Sequence, residues 1–187
     1  MQMASLNYVL PALAAEETRV VTIARQRGLL EPGPYIFTEL FCTDPSCDCR
    51  RAMIQVQDGA GSLCATLSYG WESLAFYIAW MHGDVAWARQ LPGITLYQGS
   101  PQTGKSDELL EVFRQMLSDE TYAKRIRTHY ALFKQSLGTD VTKSPRITGR
   151  RQSPKERRRL MKQIAQGGTR KALPSTNRPG ADRGRLD

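Results

Sequence analysis

Tyr35-Ile36-Phe37-Thr38-Glu39-Leu40-Phe41, Ala52-Met53-Ile54-Gln55-Val56-Gln57 and Leu63-Cys64-Ala65-Thr66-Leu67-Ser68-Tyr69 are three short runs rich in β-branched and aromatic residues. Runs of this length and composition read as strands. Asp58-Gly59-Ala60-Gly61 supplies a turn between the second and third, which therefore form a hairpin, with the first paired beside them in an antiparallel sheet. After Gly70 the period changes. Residues 72–81 hold Leu74, Phe76, Tyr77, Ile78 and Trp80 and read as a buried helix, and residues 84–90 suit another helical turn before Pro92-Gly93. Ser106 reads as a helix N-cap with Asp107 and Glu108 in the first turn, followed by Leu109, Leu110, Val112, Phe113, Met116 and Leu117 at helical spacing. Asp119-Glu120 opens a further helix, with Tyr122, Ile126, His129, Tyr130 and Phe133 near one stripe and Gly138 as its end. Upstream, residues 9–27 read as a helix stopped by Gly28, although Thr18-Arg19-Val20-Val21-Thr22-Ile23 is β-branched enough for a strand. The order predicts an α+β fold: a small antiparallel sheet of about three strands covered by several helices. There is no alternating βαβ pattern and no internal repeat.

The connection between the first two strands carries the densest chemistry. Phe41-Cys42-Thr43-Asp44-Pro45-Ser46-Cys47-Asp48-Cys49-Arg50-Arg51 places three of the chain's four cysteines within eight residues. Asp44-Pro45-Ser46 favours a turn that brings Cys42 back towards Cys47 and Cys49. Thiolates surrounding a tetrahedral Zn²⁺ need a loop of this kind. Arg50 and Arg51 are candidates to balance thiolate charge. For a fourth ligand, His129 is preferred and His82 comes second; Asp44, Asp48 or water are possible oxygen donors. Cys64, expected near Gln55 across the hairpin and about 20 Å from Cys49 at the usual strand rise, reads as a core residue. Nothing near the loop supplies an HExxH-like acid–base pair, so a metal here reads as structural rather than catalytic. A Cys47–Cys49 or Cys42–Cys47 redox pair, or simply inert thiols, are the alternatives.

Charge divides the 187-residue chain in two. Residues 1–142 hold 12 Lys/Arg against 15 Asp/Glu, a net −3, and residues 143–187 hold 14 against 3, a net +11. This segregation predicts a body at 1–142 and a tail at 143–187. The tail has no aromatic residue, and its Pro, Gly, Ser and Thr are scattered throughout. So little apolar surface cannot offset the entropy of ordering, and most of the tail is expected to be disordered when free. Within it, Ser153-Pro154-Lys155-Glu156 fits a capping box, Leu160, Met161, Ile164 and Ala165 recur at helical spacing, and Gly167-Gly168 supplies a stop. A short helix over 154–166 would carry Lys155, Arg157, Arg158, Arg159 and Lys162 on its other faces. Those cations suit salt-dependent, sequence-blind contact with nucleic acid or ribonucleoprotein. A solubilising tail, a membrane-surface helix, or an adaptor helix docking in a protein groove are the other readings.

No stretch approaches the roughly 20 apolar residues that span a bilayer. No Lys or Arg precedes Arg19, so a secretory signal is not expected and the default compartment is the cytoplasm. There, cysteines are thiols or metal ligands before they are disulfides. Gly99-Ser100-Pro101-Gln102-Thr103-Gly104-Lys105-Ser106 satisfies the phosphate-loop pattern literally and follows the β-like Ile94-Thr95-Leu96-Tyr97. A nucleotide-binding enzyme using Lys105 and Ser106 is therefore a rival reading, although no later apolar strand ending in Asp completes a Mg²⁺ site.

Tyr35-x-Phe37, Phe41-Cys42-x-Asp44-Pro45-x-Cys47-Asp48-Cys49-Arg50-Arg51, Ala65-Thr66-x-Ser68-Tyr69-Gly70-Trp71-Glu72 and His129-Tyr130-Ala131-Leu132-Phe133-Lys134 together resemble a family of small uncharacterised bacterial proteins. The similarity covers roughly residues 32–137. Some members of that family end in a cysteine-rich SEC-C metal-binding motif, in whose place this chain has its basic tail. The resemblance implies a metal-associated domain and no particular reaction.

Overall fold

The computed structural model describes residues 2–138. The tail reading over 143–187, with its helix at 154–166 and the cations Lys155, Arg157, Arg158, Arg159 and Lys162, lies outside the described residues. In chain order the elements are β1 (Met3–Ser5), α1 (Leu6–Val9), α2 (Pro11–Glu17), β2 (Arg19–Ile23), β3 (Gly33–Cys42), β4 (Arg51–Asp58), β5 (Leu63–Gly70), α3 (Leu74–Trp80), α4 (Val85–Ala88), β6 (Gly93–Leu96), α5 (Ser106–Leu117) and α6 (Glu120–Ser136). This is an α+β fold built on a six-stranded antiparallel sheet, ordered β1-β3-β4-β5-β6 with β2 also on β3.

The three expected strands form the middle of that sheet. The β3–β4 register pairs Phe37 with Val56, and the β4–β5 register pairs Ile54 with Leu67. Tyr35, Phe37 and Phe41 alternate inward along β3, beside Ala52, Ile54 and Val56 of β4 and Ala65 and Leu67 of β5. Against this face pack Leu109, Val112 and Phe113 of α5 and Tyr122, Ile126, Tyr130 and Phe133 of α6. Their spacing of three and four residues puts each set on one side of its helix. Phe37 stacks on Phe113, and Phe41 meets Tyr130 and Phe133.

The sheet is twice the expected width because three short strands complete its edges. β1 has 3 residues, β2 has 5 and β6 has 4. Runs so brief show little period; what makes them strands is the unpaired backbone of β3 and β5 beside them. β1 and β2 share one side of β3, pairing with residues 40–42 and 33–37 respectively, and α1 and α2 leave the sheet between them. The helix expected over 9–27 is thus corrected. It survives only as α2, which starts with Pro11 in its first turn and ends at Glu17. The β-branched stretch after it pairs with β3, and Gly28, at φ +58°, serves a tight turn closed by Arg27 and Leu30. Among the described residues no helix is long and apolar enough to cross a membrane.

Gly70 ends β5 where the α3–α4 segment comes closest to the sheet. A Cβ there would meet the Leu91 carbonyl oxygen and lie 2.6 Å from Tyr77 Oη. Both neighbours are held, the first by backbone and the second by its bond to Arg50 O at 2.9 Å. Gly70→Ala should therefore lower the unfolding free energy by about 1–3 kcal/mol, the usual cost of overpacking. Urea denaturation checks this; an unchanged midpoint would contradict the close approach.

Candidate metal centre

Strand β3 ends at Cys42 and β4 begins at Arg51, so the cysteine loop joins two neighbouring strands at one end of the sheet. Asp44 folds it. Its Oδ1 accepts from Ser46 N at 2.8 Å and Ser46 Oγ at 2.7 Å, and its carbonyl accepts from Cys47 N at 3.1 Å. The turn reverses the chain, and the sulfurs of Cys42, Cys47 and Cys49 all lie within 4.8 Å of one another. Three thiolates on a tetrahedral Zn²⁺, each about 2.3 Å from it, stand about 3.8 Å apart, so the group has the size of half a coordination shell or more. All three cysteines are free; Cys42 and Cys49 are buried and Cys47 is partly open.

Arg50 holds the loop in this shape. Its φ of +44° is in the left-handed region, a conformation that costs a non-glycine residue about 1–3 kcal/mol and persists only where its surroundings enforce it. They do. The guanidinium pairs with Asp48 at 3.0 Å and Glu72 at 2.9 Å and lies 4.8 Å from the Phe76 ring centroid. Its carbonyl accepts from Tyr77 Oη, and its N–H donates to Tyr130 Oη at 3.4 Å. Tyr130 in turn donates to Asp48 Oδ1 at 3.1 Å.

The cation facing the sulfurs is neither Arg50 nor Arg51. Arg51 is buried with Nη2 on Ser68 Oγ at 2.7 Å. Instead Lys134 of α6, 0% exposed, reaches the loop. Its Nζ donates to Asp44 O at 2.6 Å and Cys42 O at 3.3 Å. Among the described residues no carboxylate pairs with it. Hydrogen bonding with Cys49 lowers the Cys42 thiol to about 5 despite the opposing effect of burial, and Lys134 helps in the same direction. Cys47 is lowered too, first by hydrogen bonding with Cys49, whereas Cys49 itself is pushed up by its bonds to the other two sulfurs and by burial. The loop is built to carry negative sulfur.

His129 does not join the group. It is 1% exposed, and both ring nitrogens face carboxylates: Nδ1 lies 2.7 Å from Glu39 and Nε2 lies 3.2 Å from Glu17. The expected ligand is thus corrected to the centre of a buried acid–imidazole–acid array. His82 is exposed at the end of α3 and also stands outside the group. Asp48 is spent on Arg50 and Tyr130, and Asp44 on Ser46. Cys64 lies at the far end of the β4–β5 ladder, where the register shifts beside Val56 and Gln57; it is buried, as expected of a core residue, and burial pushes its thiol up.

The phosphate-loop residues are committed elsewhere. β6 pairs antiparallel at the sheet edge. Gln102 bridges Thr66 and Tyr97 through their carbonyls, and Lys105 Nζ pairs with Glu31 at 2.9 Å. Ser106 is the first helical residue rather than the cap; its buried hydroxyl accepts from Thr103 N and donates to Cys64 O. Gln102 and Ser106 thus pin the loop to β5, and Lys105 ties it to the segment ahead of β3.

Lys134 was legible only indirectly, as a lysine at the i+8 position of the buried stripe Ile126, Tyr130. Glu39 left a similar trace, alternating with the inward Tyr35, Phe37 and Phe41.

Burial alone would lower the imidazole of His129, but the hydrogen bonds and charges of Glu39 and Glu17 outweigh it and raise it above 6.5. A raised value stabilises the fold fully at pH below about 6.5, and the contribution is lost as pH climbs through the folded-state value. The His129 ring protons should accordingly titrate in NMR with a midpoint above 6.5, and His129→Gln should remove that part of the stability loss on alkalinisation. A midpoint below 6.5 would refute the charged array.

No protein-family model, curated protein or solved structure matches this chain.

Proposed function

We propose that residues 2–138 form a non-enzymatic structural zinc domain whose Cys42, Cys47 and Cys49 hold the ion, and that the basic tail contacts nucleic acid or ribonucleoprotein. The observation that carries the metal reading is the convergence of three sulfurs beside the buried ammonium of Lys134. A buried cation needs a counter-charge, and the charge of Lys134 is felt at the Cys42 and Cys47 sulfurs and at the Asp44 carboxylate. Three thiolates around Zn²⁺ leave a net −1, which Lys134 cancels. Zinc suits the donors: it is redox-inert and takes sulfur readily. Its role would be to clamp the end of β3 to the start of β4, linking site and fold. The donors must be reduced, which agrees with a cytoplasmic location.

The tail reading rests on the −3/+11 division of charge. Lys155, Arg157, Arg158, Arg159 and Lys162 would neutralise phosphates and release counterions, with little dependence on sequence.

Two outcomes are expected. Protein purified without added metal should carry about one equivalent of zinc by elemental analysis, and Cys47→Ser should lose most of it. Lys134→Met should weaken zinc binding by roughly tenfold, about 1.4 kcal/mol; metal below half an equivalent in the parent protein would count against the site. Full-length protein should bind DNA or RNA with an affinity that falls steeply between two salt concentrations, and a 1–142 truncation should not. Equal binding by both would remove the tail from the account, while salt-insensitive binding to a protein, lost on Leu160→Asp, would favour an adaptor helix.

A further inference from the structure

Structural zinc is normally closed by four protein donors. Here the described residues bring three. Every other cysteine and histidine of the chain stands apart: His129 lies between Glu39 and Glu17, Cys64 is at the opposite end of β4, and His82 is exposed and outside the group. The two loop carboxylates are held by Ser46, Arg50 and Tyr130. Beyond residue 129 the sequence contains no Cys or His, so residues 139–187 offer neither thiolate nor imidazole.

Charge then selects what would fill the fourth coordination position. Three thiolates and a divalent ion sum to −1, and the ammonium of Lys134 brings the buried assembly to zero. A neutral fourth ligand preserves that balance. A fourth thiolate or a carboxylate would leave an uncompensated charge beside the 0%-exposed Lys134, Cys42 and Cys49. Access also exists, because Cys47 is the partly open member of the three.

Resting on the metal reading above, we propose that the fourth coordination position is held by an exchangeable water and is a binding site for a neutral nitrogen donor, of which the imidazole of a partner's histidine is the type. Exchange breaks one metal–oxygen bond and forms one metal–nitrogen bond; no proton or electron is transferred. Three electron-donating thiolates make the ion a weak Lewis acid, so the bound water stays neutral and leaves readily. The site thereby discriminates by charge: it accepts imidazole and rejects anionic ligands of similar size.

Cobalt(II) tests this on the full chain, since its visible bands report the donor set. Imidazole added to the cobalt-loaded protein should shift the d–d bands saturably while the sulfur-to-cobalt charge-transfer intensity of three thiolates remains. Azide at the same concentration should give at least tenfold weaker binding. His82→Ala should leave the starting spectrum unchanged. X-ray absorption of the zinc form should fit three sulfurs and one light atom. Bands indifferent to imidazole, four sulfurs, or cobalt stripped from the protein by imidazole would overturn the open position while leaving a metal site in place. Metal-dependent dimerisation abolished by His82→Ala would overturn the exchangeable water, because the imidazole of a second copy would already hold the position. A chain that binds neither cobalt nor zinc would fail earlier, at the metal reading itself.

Discussion

An ammonium group sealed from solvent must find negative charge or dipoles within a few ångströms, and Lys134 donates its hydrogen bonds to two carbonyls of the cysteine loop. That constraint organises this end of the molecule. Backbone carbonyls satisfy the hydrogen-bonding capacity of Nζ, yet they contribute no net charge. Sulfur does. Hydrogen bonding with Cys49 holds the Cys42 thiol below its ordinary value, and the charge of Lys134 acts in the same direction. A divalent ion at the same place would let all three sulfurs be thiolates without repelling one another. The lysine therefore serves the loop in either state, and its burial is intelligible only together with the cysteines.

Charge compensation would achieve little if the loop could move, and Arg50 removes that freedom. Its left-handed backbone points Cys49 inward at the step where the chain enters β4. Strain there is held by contacts to separate parts of the fold: Glu72 and Phe76 near and in α3, Tyr77 in α3, Tyr130 in α6, and Asp48 within the loop. Loosening any one leaves the others in place. The loop thus inherits rigidity from the helices, and an arginine that composition would assign to neutralising thiolates works as a mechanical clamp.

Much of this was legible in the sequence, and the misses have physical causes. The period-2 runs of β3, β4 and β5 and the stripes of α5 and α6 are long enough to announce themselves. β1, β2 and β6 are made by neighbours whose edges need partners, information that local sequence does not hold. The cysteine spacing and Asp44-Pro45-Ser46 predicted convergence correctly, because the turn is local chemistry. His129 was assigned by elimination among histidines, which ignored Glu39. A carboxylate alternating inward between Phe37 and Phe41 needs a buried partner, and α6 offers that imidazole. Ser106 misled as a cap because its hydroxyl answers to β5, 42 residues away.

Placed side by side, the two buried polar contacts of α6 explain how the helix finds its position. Glu39 and Cys42 are three residues apart on β3, about 10 Å at the usual strand rise. Their partners His129 and Lys134 are five residues apart on α6, about 7.5 Å along its axis. Both pairs advance in the same direction, so one alignment of helix and strand satisfies both. Between them Phe41 packs on Tyr130 and Phe133, and a slip of one helical turn would put Ile126 and His129, or Lys134 and Leu137, in their place. The polar pairs tolerate no such slip: moving α6 by 5.4 Å strips Glu39 of its imidazole and the loop of its ammonium together. Aromatic burial supplies the attraction, and the two polar contacts supply the register that delivers Lys134 to the loop.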